Sequence, residues 1–128
     1  MAYENPTLLG SFDSSTGLKQ YQGVSMSTNG LLINPTTNGA ILGILISGGS
    51  TGSTRDSVQT VQFGGVAKVL AGATGLDYMS AITFDTDGRA IAGTTNYQTA
   101  IALGEVTSTS TSSEVIPALI LPHIGVGV

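Results

Sequence analysis

Ile82-Thr83-Phe84-Asp85-Thr86-Asp87-Gly88-Arg89-Ala90-Ile91 is the stretch whose reading decides the fold. Apolar and polar residues alternate from Ile82 to Asp85, which places Ile82 and Phe84 on one face of a strand. Asp87-Gly88 then offers the pair of positive-φ positions that a two-residue type I′ hairpin turn needs. Arg89, Ala90 and Ile91 continue as the return strand. The same pattern occurs 58 residues earlier, where Val24, Met26, Asn29, Gly30 and Ile33 stand in the places of Ile82, Phe84, Asp87, Gly88 and Ile91. Two hairpins of one pattern predict a doubled β unit.

Composition points the same way. A chain of 128 residues is long enough for one modest core. Apolar residues make up 41% and β-branched Val, Ile and Thr are frequent, which favours strands over helices. Charged residues are only 9%, against a usual quarter, while Gly contributes 18 residues. So low a charge implies a surface covered by other protein or solubilised by hydroxyl groups. The expected fold is all-β: one small β-barrel or β-sandwich-like domain built from hairpins, with little helix.

Working outward, residues 1–20 carry Pro6, Gly10, Gly17 and the polar Asp13-Ser14-Ser15-Thr16 cluster with little periodicity, and read as an extended N-terminal arm with a short strand at Thr7 to Phe12. Such an arm either frays or adds a strand to a partner's sheet. The β domain occupies 21–121. Its first hairpin spans Gln20 to Asn34. The run Ala40-Ile41-Leu42-Gly43-Ile44-Leu45-Ile46 fits a strand buried on both faces or facing a subunit interface, and Gly43 marks a bulge or a close backbone approach. A Gly/Ser/Thr loop at 48–54 leads to an alternating strand from Ser57 to Phe63, broken by Gly64-Gly65 before Val66 to Leu70. A short helical turn is expected around Leu76 to Ser80. After the second hairpin, Ala100 to Val106 echoes Ala40 to Ile46, with Gly104 in the place of Gly43. A Ser/Thr tract at 107–113 matches the earlier loop, and Val115 to Leu121 matches Val58 to Phe63. Hairpin, Gly-centred strand, loop and strand thus occur twice, with the offset drifting from 58 to about 61. The tail 122–128 is apolar to the last residue. Exposed, it would be a contact patch, and the candidate subunit-interface residues are Ile120 and Leu121 just before the tail and Ile124 and Val126 within it.

Little in the chain asks for catalysis. Gly48-Gly49-Ser50-Thr51-Gly52 matches the nucleophile elbow by letter, but that motif needs a strand-to-helix turn and a base and acid after it. The one histidine, His123, sits in the apolar tail. Asp85-Thr86-Asp87-Gly88 matches part of a calcium loop, yet Thr83 and Thr94 stand where further ligands belong, so the turn reading is preferred. No metal site, cofactor or catalytic residue is expected. A net charge of −4 with four Lys and Arg leaves no basic stripe for nucleic acid. The longest apolar run is far too short to span a bilayer, and no cysteine exists to staple the fold or hold a metal. The N-terminal Met-Ala-Tyr-Glu-Asn-Pro has no secretory-signal pattern, so synthesis in the cytoplasm is expected.

In its order of motifs the chain resembles the small capsid decoration (head cement or head-fibre) proteins of tailed bacteriophages. The resemblance runs from about Gly23 to Leu121 and rests on Ala40 to Leu45, on Val58 to Val69 with its Gly64-Gly65-Val66-Ala67 break, on Ile82 to Ala90, and on Ala100 to Val106. It implies a β-rich virion protein on the outside of the mature, expanded capsid. Such a protein is a homotrimer at three-fold or quasi-three-fold sites, with the major capsid protein and itself as partners, and it stabilises the shell. It also implies a capsid-binding role for the arm, through Tyr3, Glu4, Asn5, Pro6, Thr7, Leu8 and Leu9. The Ser/Thr loop at 107–113 and the apolar tail depart from the pattern. The alternative is another virion module: a fibre, spike or tail component, or a glycan-binding β-domain. That reading is handicapped by the absence of Trp and by an aromatic content of 5%.

Overall fold

Both hairpins form, by a turn different from the expected one. The structure is a computed structural model and describes residues 9–14, 17–36, 41–47, 58–72, 76–93, 100–106 and 114–120. In the second hairpin Phe84 lies opposite Ala90. The Asp85 amide donates to the Arg89 carbonyl at 3.0 Å and the Gly88 amide to the Asp85 carbonyl at 2.9 Å. The loop is therefore three residues, Thr86, Asp87 and Gly88, of which Gly88 alone has positive φ, at 75°. This is the three-residue hairpin with glycine in the left-handed position, a correction to the type I′ expectation. Asp85 decides it. Its Oδ1 accepts from the amides of Asp87 and Arg89, both at 2.9 Å, so the turn starts two residues before Asp87. The first hairpin repeats every bond. Ser27 N to Leu31 O and Gly30 N to Ser27 O are both 2.9 Å, the Ser27 hydroxyl accepts from Asn29 and Leu31, and Gly30 has φ 80°.

Among the described residues ten strands follow in chain order: β1 (Leu9–Asp13), β2 (Gly23–Met26), β3 (Leu32–Ile33), β4 (Gly43–Leu45), β5 (Val58–Gln62), β6 (Gly65–Leu70), β7 (Ala81–Phe84), β8 (Ala90–Ala92), β9 (Ala100–Ala102) and β10 (Val115–Ile120). They form two antiparallel five-stranded sheets, ordered β1-β5-β4-β2-β3 and β6-β10-β9-β7-β8. The second order is the first with five added to each number, so the doubling is a property of the topology. The outer strands also meet in the same way in each half. Single parallel bridges join Ser14 to Leu32 and Ala71 to Ala90. One bridge curls each sheet without closing it, and the fold is β-sandwich-like rather than a closed barrel. No helix occurs among the described residues.

Register corrects the alignment of the repeat. Gly23 pairs with Ile44 in the first sheet and Ala81 with Ile101 in the second, so Gly43 corresponds to Ala100 and not to Gly104. The close approach expected at Gly43 is real: a Cβ there would run into the Gln62 carbonyl. Leu9–Asp13, within the expected arm, pairs with β5 as the outer strand equivalent to β6. The helical turn expected at Leu76 to Ser80 is instead a tight turn, with the Ser80 amide on the Asp77 carbonyl at 3.0 Å and Met79 at φ 70°. Tyr21, its counterpart 58 residues earlier, has φ 71°. Long-range bonds hold both non-glycine residues in this left-handed state, Tyr21 N to Leu45 O at 2.7 Å and Met79 N to Ala102 O at 2.8 Å.

Two apolar clusters fill the halves. Leu18, Val24, Leu32, Leu45 and Val61 form the first, with Phe12 edge-on to Phe63 at a centroid distance of 5.9 Å. Val69, Leu76, Ile82, Phe84, Ile116 and several alanines form the larger second one, which Ile44 also joins. Successive strand residues face opposite ways, so β4 sends Leu45 into one core and Ile44 into the other. That is the two-faced burial the Ala40 to Ile46 run predicted.

Candidate functional site

The repeat makes two equivalent hairpin tips in different surroundings. The second tip is docked on the first half. The Gly23 amide donates to the Gly88 carbonyl at 2.8 Å, and the Leu70 amide to the Tyr21 carbonyl at 2.9 Å. A Cβ on Gly23 would lie 2.8 Å from the Phe84 ring, and one on Gly88 would lie 2.5 Å from both Gln22 Nε2 and the Gly23 carbonyl. Phe84 is fully buried in this junction. Among the described residues nothing docks on the first tip: a Cβ on Gly30 would find none of their atoms within 4 Å, and Met26, the counterpart of Phe84, is 37% exposed.

Gln22 organises the junction. It is buried, and its Oε1 accepts from the Lys19 amide at 2.6 Å while Nε2 donates to Asn34 Oδ1 at 2.6 Å and to the Gly23 carbonyl at 3.2 Å. Beside it opens a polar cleft of about 190 Å³ lined by Gly17, Lys19, Gln22, Asn34, Asp87 and Arg89. Drug-sized ligands occupy clefts of roughly 300 Å³ or more, so this one suits a small polar group or ordered water. Its charges are largely spent: Arg89 pairs with Asp85 at 3.1 Å and with Asp87 at 3.2 Å. Lys68, on β6, lies 5.8 Å over the Tyr21 ring.

The residues singled out from sequence fall in several places. Asp85 and Asp87 spend their carboxylates on turn amides and Arg89, which is the turn role and not a calcium loop. Among the described residues no group of three or more His, Asp or Glu is placed to hold a metal ion. Ser50 and His123 lie outside the described residues, as do Tyr3, Glu4, Asn5, Pro6, Thr7 and Leu8 of the arm. Leu9 is exposed at the start of β1. Ile120 is buried in the second core at the end of β10, while Leu121, Ile124 and Val126 lie outside the described residues. Sequence reasoning missed the docked junction. Its signal was the repeat itself: Gly23 against Ala81, and Phe84 against Met26.

No protein-family model matches the chain, and no curated protein matches it. Among solved structures the fold is similar to the head fibre gp8.5 N base of bacteriophage phi29, with a TM-score of 0.69. The match covers 91% of this chain and 96% of that one at 12% identity, so the likeness is one of fold over nearly the whole of both.

Proposed function

We propose that this chain is a structural protein of a bacteriophage virion. On this reading it attaches to the outside of the expanded head through the major capsid protein, self-associates as a trimer and stabilises the shell. The observation that carries the reading is the fold likeness to the phi29 head-fibre base across 91% of the chain. The composition supports it, because a chain with only 9% charged residues suits a permanent place in an assembly. So does the exposed apolar set Leu9, Met26, Tyr78 and Met79. The activity is binding without chemistry. A protein that binds only the expanded shell stabilises it by mass action, and symmetry repeats the contact so that modest affinity per site suffices. In this scheme residues 3–9 are the arm that reaches the capsid strand, and the tail contributes to packing between copies.

Co-sedimentation with matching heads, before and after expansion, tests the reading. Saturable binding to expanded heads alone is the expected result, and its occupancy identifies the symmetry site. Binding to neither form overturns the capsid role and shifts the assignment to a fibre or tail component.

A further inference from the structure

The docked junction inside one chain has a surface counterpart whose hydrogen bonds are not made among the described residues. Within the chain, Tyr21 and Gly23 of the first half bond to Leu70 and Gly88 of the second. One repeat on, Tyr21 and Gly23 become Met79 and Ala81; one repeat back, Leu70 and Gly88 become Asp13 and Gly30. Among the described residues no hydrogen bond joins that second set. Yet two of its members, Met79 and Gly30, keep the left-handed conformation of their counterparts. Met79 has φ 70° where Tyr21 has 71°, and Gly30 has φ 80° where Gly88 has 75°. The surface around the set is apolar and open: Tyr78 is 64% exposed, Met79 70% and Met26 37%.

We infer that a second copy of this chain fills it. The first hairpin tip of one copy, Met26 to Leu31, docks on the Tyr78 to Ala81 turn of the next and remakes between copies the junction that the second tip makes within one. The Ala81 amide then donates to the neighbouring copy's Gly30 carbonyl, and the neighbouring copy's Asp13 amide to the Met79 carbonyl. Met26 takes the place of Phe84. The exchange of side chains is self-consistent. A flat ring fits against Gly23, which has no Cβ, whereas Ala81 has one, and a flexible methionine accommodates the extra methyl where a phenyl ring would not. The two faces differ, so the contact is head-to-tail and propagates until the rotation closes a ring. This deepens the self-association part of the proposed function, and it does not depend on what the assembly binds.

The test is the mass of the full chain in solution, by light scattering and sedimentation. The wild type should give a multiple of the 12.9 kDa chain, and Met26→Asp or Tyr78→Asp alone should weaken association at least tenfold. An equimolar mixture of the two variants retains one intact tip and one intact turn. It should form a one-to-one heterodimer and nothing larger. An isologous interface would not be rescued by mixing, and that result overturns the proposal, as does a wild type that stays at 12.9 kDa at the highest soluble concentration. The cysteine-free chain permits a check should either variant unfold. Asp87 and Lys19 line one cleft, and their counterparts are Asn29 and Asp77. Asn29→Cys mixed with Asp77→Cys should therefore give a heterodimeric disulfide in preference to either homodimer, and a random mixture counts against the contact. Self-association without head binding would spare this interface and sink the capsid reading, whereas head binding by a strict monomer would do the reverse.

Discussion

The carbonyl of Gly88 accepts from the amide of Gly23 at 2.8 Å, and this bond fastens the tip of one hairpin to the strand that opens the other. The two glycines belong to different halves of a doubled fold. Their contact shows that the halves are joined by docking as well as by the short link at Gly64. Around the bond the packing admits no extra atom on either residue, and each consequence of that can be measured.

Gly88 and Gly30 are equivalent in the repeat and differ only in surroundings, so they separate backbone strain from crowding. Asparagine tolerates the left-handed region better than other side chains. Gly30→Asn should therefore cost about 1 kcal/mol or less. Gly88→Asn adds a Cβ 2.5 Å from the Gly23 carbonyl and should cost about 1–3 kcal/mol more by overpacking. Urea denaturation of both variants gives the difference, and equal losses would show that the second tip is not docked.

At Gly23 the obstacle is the face of the Phe84 ring, 2.8 Å from where a Cβ would stand. Gly23→Ala should destabilise by about 1–3 kcal/mol, because the buried ring has no free direction in which to move. Pairing it with Phe84→Leu should recover part of that loss, a non-additivity expected of residues in contact. If the double variant is merely the sum of the singles, the contact is not the cause.

These positions also show what the sequence could and could not tell. The hairpins and their doubling were legible because Gly30 and Gly88 sit at one place in one alternating pattern. The turn type was not, since Asn-Gly and Asp-Gly fit two-residue and three-residue loops alike. The deciding signal was upstream, in Ser27 and Asp85, whose side-chain oxygens cap the turn amides. The equivalence of the outer strands stayed hidden because β1 and β6 share a position in the sheet and almost no residues. Leu-Gly-Ser-Phe-Asp gives no hint of Gly-Val-Ala-Lys-Val-Leu. An outer strand with alternate residues in solvent imposes little on its sequence. The junction was invisible for a different reason. It depends on a residue being absent, the Cβ that Gly23 lacks, and on register that only the paired strands reveal.

Asp85 caps the second turn with both carboxylate oxygens, Oδ1 on two amides and Oδ2 on the Arg89 guanidinium at 3.1 Å. Asp85→Ala should cost about 1–2 kcal/mol, mostly from the amides, because a partly exposed ion pair contributes little. Arg89→Gln should accordingly cost well under 1 kcal/mol. A larger loss at Arg89 than at Asp85 would reverse that assignment of the energy.

Thr83 offers the opposite sign. It is fully buried in β7 and its hydroxyl has no hydrogen-bond partner among the described residues. A buried hydroxyl without a partner costs roughly 1–3 kcal/mol of desolvation that nothing repays. Valine keeps the branched shape and the strand preference while removing the hydroxyl. Thr83→Val should therefore stabilise the chain by about 1 kcal/mol, which for a chain of this length raises the melting temperature by roughly 3–6 °C. Thr83→Ser retains the hydroxyl and deletes a methyl, so it should lower stability by about 1 kcal/mol. The pair brackets the effect: the melting order should run Val, Thr, Ser. A valine variant less stable than the wild type would mean that the Thr83 hydroxyl has a partner in solution, and Phe84 beside it would then stand next to a polar contact in the junction.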